Sequence, residues 1–304
     1  MNTKPHVGLI GVGLMGHGIA TNVQKHGYAL SFLSHVGNQP VEDLLAKGAV
    51  AKASGAELAE QSDVVILCVT GTPQIEDVMF RADGVLVGLK HGTIVIDCST
   101  AIPASTLVVA ARVAQAGGRY LDAAMTRTLK EAAEGRLNLI VGVPDDLFQE
   151  VLPLLRCFAE NIVHAGPIGS GHQLKLLHNF VSLGFSAVLA EAASAARRAG
   201  VLPSLFVDVL GKGGGGGVVL DRMKPFILAN DSSGATFTLG NALKDMTYYM
   251  ALTHELNASN GLAQATQSLF AAVAAKGQQA RAIPELIAIL SDNRADVRQG
   301  ALDR

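Results

Sequence analysis

Val7-Gly-Leu-Ile-Gly-Val-Gly-Leu-Met-Gly-His-Gly18 runs an apolar tetrapeptide into Gly11, Gly13 and Gly16, spaced G-x-G-x-x-G. Ile19, Ala20 and Val23 follow with the period of a helix buried on one face. The chemistry this spacing serves is anion binding. Gly11 admits a tight turn, Gly13 lets the backbone approach a pyrophosphate, and Gly16 lets the helix pack close to the strand. Leu14 and Met15 open the helix, whose first N–H groups have no partner within it and face the anion. The spacing alone is common. A strand directly before it and a helix directly after it make it a dinucleotide-binding fingerprint.

Outward from this turn, strands and helices alternate. Residues 28–33 read as a strand, 40–47 and 56–61 as helices, and 63–69 as an apolar run without alternation. Such a run suits a parallel strand buried on both faces. Residues 93–97 look the same, 103–116 read as a helix, and 119–123 and 138–143 as strands with helical 130–134 between them. The pattern predicts an α/β fold, a Rossmann-type doubly wound parallel sheet. Ligands bind such sheets beyond the carboxyl ends of the strands. Val69, Thr70 and Thr100 fall there and are expected to face the cofactor, although Ser and Thr also cap ordinary loops. At the end of the second strand a carboxylate would take the ribose 2′-OH of NAD, and an arginine the 2′-phosphate of NADP. Ser34-His35-Val36 offers neither. With no acid to repel a phosphate that Ser34 or His35 could bond, the expected cofactor is NADP or NAD, with NADP favoured.

After Gly166-Pro-Ile-Gly-Ser-Gly171 the alternation stops. Helices are expected at 172–200, 203–210, 218–228, 239–256, 262–275 and 284–290, with no strand. The expected domains are a nucleotide-binding domain at 1–166 and an all-α domain at 167–304, joined by the long helix. Gly213–Gly217 reads as a flexible loop. In the apolar long helix, Lys175, Asn179, Ser182 and Ser186 form one polar stripe. A lysine there is costly to bury unless it has partners or work to do. It reads as a general acid for a carbonyl oxygen, or as a snorkelling residue at a domain seam.

Composition narrows the classes. The 304 residues are 49% hydrophobic with net charge −2, so they can bury two cores and present no field that attracts nucleic acid. Three cysteines make a poor disulfide framework and suit a reducing cytoplasm. The first strand runs straight into the glycine turn, so no signal peptide is expected. Polar residues interrupt every long apolar run, so no membrane span is expected, and no metal site either.

Four segments together resemble the β-hydroxyacid dehydrogenases, the family of 3-hydroxyisobutyrate dehydrogenase and tartronate semialdehyde reductase. They are Gly11–Gly18, Asp97-Cys-Ser-Thr100, Gly169-Ser-Gly-His-Gln-Leu-Lys-Leu-Leu-His-Asn179 and Lys244-Asp245. The resemblance implies Lys175 as acid/base, Asn179 and His178 beside the substrate, and Thr100 and Lys244 beside the cofactor. It also implies a homodimer or homotetramer, for which Leu262, Leu269, Phe270 and Val273 supply apolar surface. One departure stands out. The family's substrate loop carries Ser-Gly-Gly where this chain has Thr126-Arg127-Thr128. A guanidinium offers a planar fork to an oxyanion, and an arginine here resembles the 3-sulfolactaldehyde reductase branch. Arg127 is expected to hold the anionic end of a small carboxylate or sulfonate substrate, or else to pair with Glu131 four residues on. A cofactor-binding sensor, an imine reductase and a 6-phosphogluconate dehydrogenase are the competing classes.

Overall fold

A computed structural model describes residues 4–292. They form two compact units, one running to Lys175 and the other starting at Leu176. The first is built on an eight-stranded sheet, β1 (Val7–Ile10), β2 (Leu30–Leu33), β3 (Val50–Lys52), β4 (Val64–Leu67), β5 (Ile94–Asp97), β6 (Arg119–Thr126), β7 (Leu137–Gly142) and β8 (Ala159–Gly166). Their order is β3-β2-β1-β4-β5-β6-β7-β8. The strand order turns outward from β1 in both directions, which opens a crevice at the carboxyl ends of β1 and β4.

One pair departs from the expected parallel sheet: β6 and β7 are antiparallel, Asp122 facing Gly142 and Thr126 facing Asn138. The connection between them holds only the short helix Leu129–Glu134. It turns the chain back at the same end of the sheet, where a full crossover would have carried it to the other. Sequence reading also misses β3 and β8. Both lie at the sheet edges and carry exposed residues, so neither has the continuous apolar run of a central strand. The central strands bury both faces. Val7, Leu9, Ile66, Ile96 and Leu121 pack on one side with Ile19 and Val23. Ile10, Val65, Leu67 and Val95 pack on the other with Ile75, Val109 and Val113.

The second unit is helical among its described residues, apart from a single bridge between Thr238 and Ala282. Its core includes Leu220, Phe226, Leu239, Met246, Phe270, Val273 and Leu286. Phe270 and Val273 are therefore interior residues, and of the four expected to drive assembly only Leu262 is fully exposed. Gly213–Gly217 joins the helices Pro203–Lys212 and Val218–Ala229.

The helix Ser170–Arg198 begins in the first unit and continues into the second. By length and composition alone it is long and apolar enough to cross a membrane, a test that the core helix of a globular domain also passes. Polar residues break the apolar run in sequence, and five of them gather on one side of the helix. That side is the buried one, with His172, Lys175, Asn179, Ser186 and Ser194, while Leu174, Leu177, Val181 and Val188 face outward.

Candidate active site

The glycine turn separates three physical roles. Gly11 has φ +95°, and a Cβ there would sit 2.3 Å from the Cys68 carbonyl oxygen. A Cβ at Gly16 would meet the Gly11 carbonyl at 2.0 Å. The turn role of Gly11 and the packing role of Gly16 read from the sequence thus both require glycine. At Gly13, the N-cap of the helix Leu14–Lys25, a Cβ would meet nothing within 4 Å. Bare backbone faces open space there, and the first helical turn carries no acidic residue. The cradle fits a pyrophosphate. Leu14 is exposed beside it and Met15 packs on the core. Gly18 has a role that sequence reading left unassigned: a Cβ would lie 2.6 Å from the Ala132 backbone. It lets the cofactor helix touch the helix Leu129–Glu134, and Asn22 Nδ2 fastens the contact by donating to the Ala132 and Ala133 carbonyls, 3.1 Å each.

Beyond β4 and β5 the loops are held by their own polar groups. The Val69 N–H donates to Ser99 Oγ at 3.1 Å, and the Ser99 N–H to Asp97 Oδ1 at 2.9 Å. Asp97 Oδ2 accepts from the Tyr120 hydroxyl at 2.8 Å. Asp97 therefore shapes the turn. Thr70 is exposed and Thr100 half-buried at its surface. Ser34 and His35 are exposed beyond β2, and His35 Nδ1 accepts from the Gly37 N–H at 3.0 Å. Cys68 lies under the glycine turn, where burial pushes its thiol up to about 12.

The substrate loop is arranged differently from expectation. Arg127 has φ +81°, in the left-handed region where glycine is favoured. Its guanidinium binds the Glu160 carboxylate and the Arg136 carbonyl. Glu131 is not its partner. That carboxylate accepts the Thr128 N–H at 3.0 Å and the Thr128 hydroxyl at 2.6 Å. Glu160 stands on β8, beyond β7 on the side of β6 away from β1, β4 and β5. The guanidinium is thus turned from the cofactor strands toward the sheet edge, and Thr128 is spent on capping its own helix. Thr126 is the half-buried last residue of β6.

Asp122, also on β6, does work that sequence reading missed. It is fully buried, and its two oxygens accept the backbone N–H groups of Gly169 and His172 at 2.7 Å each. Gly142 and Gly171 leave room for the carboxylate, since a Cβ at either would meet it at 2.6 and 2.8 Å. The fully buried His172 bonds Thr106 Oγ1 through Nδ1 at 2.7 Å. The first turn of the long helix is therefore anchored to the sheet, and Lys175 lies three residues past His172 at 9% exposure.

In the second unit Asn179 is buried and donates through Nδ2 to Asp245 Oδ2 at 2.6 Å. Lys244 Nζ stands 2.8 Å from Asp245 Oδ1 and 5.0 Å from the Tyr248 ring centroid. His178 is exposed, with Nδ1 3.0 Å from Asn179 Oδ1. Among the described residues no cluster of three or more His, Cys, Asp or Glu could hold a metal.

A pyrophosphate cradle on a Rossmann sheet, leading into a helix with a buried lysine and amide one turn apart, defines a dinucleotide-dependent oxidoreductase. Residues 6–166 match the NAD-binding domain family of 6-phosphogluconate dehydrogenase, and residues 169–290 the NAD-binding domain family of NADP-dependent 3-hydroxyisobutyrate dehydrogenase. The chain is 30% identical over 250 residues to 2-(hydroxymethyl)glutarate dehydrogenase of Eubacterium barkeri, covering 81% of each. It is 35% identical over 199 residues to 2-hydroxy-3-oxopropionate reductase of Escherichia coli, covering 65% of this chain and 67% of that one. The crystal structure of 3-hydroxyisobutyrate dehydrogenase from Salmonella typhimurium superposes with a TM-score of 0.83 at 25% identity, covering 94% and 100%. The chain belongs to the β-hydroxyacid dehydrogenase family. It is an NAD(P)-dependent oxidoreductase of hydroxyacids.

Proposed function

We propose that the protein interconverts a small acidic aldehyde and the corresponding 3-hydroxy acid, carboxylate or sulfonate, with NADP preferred over NAD. One observation carries the assignment of roles: Lys175 is nine-tenths buried one helical turn before a buried Asn179 whose amide is fixed by Asp245. A lysine buried beside an amide on the helix that follows the nucleotide-binding sheet is a candidate for proton transfer. The nicotinamide, when bound, supplies or accepts the hydride. Lys175 gives a proton to the substrate carbonyl oxygen during reduction, and its neutral amine takes the hydroxyl proton during oxidation. Asn179 steadies the oxygen. Arg127 holds the acidic end, which requires its guanidinium to leave Glu160 for the substrate. The exposed Ser34 and His35, with no carboxylate beside them in sequence, support the preference for a 2′-phosphate. A cytoplasmic setting suits the three free thiols.

The test is a panel of carboxylate and sulfonate semialdehydes against NADPH and NADH, followed by nicotinamide absorbance, with cofactor affinities from fluorescence titration. Lys175→Ala is expected to lose about 10²–10⁴-fold in kcat while still binding NADPH. Near wild-type turnover by that variant would remove Lys175 from the acid/base role, and tighter binding of NADH would reverse the cofactor assignment.

A further inference from the structure

Each turnover moves one proton between Lys175 and bulk water, and Lys175 is nine-tenths buried. His178 follows it by three residues on the same helix, at a spacing that makes side chains neighbours on a helix surface. The histidine is exposed. Its tautomer follows from its partners. A carboxylate only accepts hydrogen bonds, so Asn179 must turn Nδ2 toward Asp245 Oδ2, at 2.6 Å. Asn179 Oδ1 then faces His178 Nδ1 at 3.0 Å and can only accept. Nδ1 therefore carries a proton, and in the neutral ring Nε2 holds a free lone pair. Lys244, 2.8 Å from Asp245 Oδ1, holds the far end of this chain. Lys244, Asp245, Asn179 and His178 thus form one directed relay that fixes the imidazole tautomer.

We propose that His178 Nε2 is the proton port of the enzyme, a residue that acts through Lys175 and not by holding the substrate. The inference rests on Lys175 being the acid/base. In the oxidative direction, with the nicotinamide bound to take the hydride, the substrate hydroxyl proton would pass to the Lys175 amine. The Lys175 ammonium then passes its proton to His178 Nε2. The imidazolium keeps its Nδ1–H bond to Asn179 and releases the Nε2 proton to water. One proton enters the relay and one leaves it. Reduction runs the same steps backward. An exposed ring can also be replaced without opening a cavity in a core.

The experiment compares wild type, His178→Ala, His178→Gln and Lys175→Ala on one verified substrate. For each His178 variant kcat is expected to fall about 10-fold or more, with the solvent deuterium isotope effect on kcat rising. KM and the NADPH dissociation constant should stay within about twofold, the pattern of a lost step and not of lost uniform binding. Added imidazole should restore kcat of His178→Ala with saturation, and should do nothing for His178→Gln or Lys175→Ala. An unchanged kcat in both His178 variants, with Lys175→Ala inactive, overturns the port and leaves the acid/base reading intact. A change confined to KM makes His178 a substrate contact and also overturns it. A fall in kcat with neither imidazole rescue nor a larger isotope effect makes the role structural. If Lys175→Ala itself retains turnover, the underlying acid/base reading fails first.

Discussion

At the scale of single residues, Arg127 carries the most information. A left-handed backbone costs a residue with a Cβ roughly 1–2 kcal/mol, and the φ of +81° sits where the family's substrate loop has glycine. An arginine kept at that cost invites a functional explanation. In the structure the guanidinium is engaged with Glu160, whose carboxyl it holds below the usual glutamate range. If Arg127 holds the substrate as proposed, the substrate anion and Glu160 compete for one fork. Arg127→Ala is expected to raise KM for the acidic substrate about 10–150-fold with less effect on kcat, since the acid end keeps its charge through hydride transfer. Glu160→Gln should lower KM, because the fork then has no carboxylate to leave. Steady-state kinetics on both variants decides the matter. An unchanged KM in Arg127→Ala, with a lowered melting temperature, would make the residue a strap between the β6 end and the sheet edge.

At the scale of elements, the site depends on how two helices are tied to the sheet. Gly18 and Asn22 bring the helix Leu14–Lys25 against Leu129–Glu134, so the loop that carries Arg127 and the glycine turn share one support. Asp122 anchors the first turn of the helix that bears Lys175. Its environment is mixed: burial pushes the carboxyl up, while His172 and the two backbone N–H bonds draw it down. Asp122→Asn preserves shape but turns an amide donor toward one of two backbone donors. One lost bond to a charged group costs about 1.5–3 kcal/mol. A drop of that order in unfolding free energy, together with a lower kcat and unchanged NADPH affinity, is expected from denaturant titration and kinetics. Wild-type stability and kcat in this variant would show that the anchor does not position Lys175. The polar stripe of Lys175 and Asn179 is legible in sequence because both residues ride one helix of known period. The Asp122 anchor is not, because 47 residues separate it from Gly169.

At the scale of the whole molecule, the surface makes its own prediction. Leu174, Leu177, Val181 and Val188 stand outward along one long helix, and Leu262 is 79% exposed. A contiguous apolar stripe of this kind is uncommon on a monomer's surface. We expect a homodimer or homotetramer, with Val181→Asp shifting the population to smaller species. Light scattering at micromolar concentration checks this, and a wild-type monomer would refute it. The long helix contributes four of these exposed side chains, whereas Phe270 and Val273 lie in the interior. Those two read as surface because helical periodicity marks an apolar face without saying what covers it.

What the sequence by itself determined is the Rossmann class, the glycine cradle, the helical second half and the lysine–asparagine pair. Each is written in contiguous residues with a period of 2.0 or 3.6, or in a short fixed spacing. Only the tertiary structure decided the antiparallel β6–β7 pair, the edge strands β3 and β8, the Asp122 anchor, the partner of Arg127 and the relay from Lys244 to His178. Edge strands lack the two buried faces that mark central ones. The remaining features join residues far apart in the chain, as with Asn179 and Asp245, 66 residues apart. A hydrogen bond across that distance leaves no periodic mark on either segment. It exists because folding encloses both groups where an unpaired carboxylate or amide would be costly.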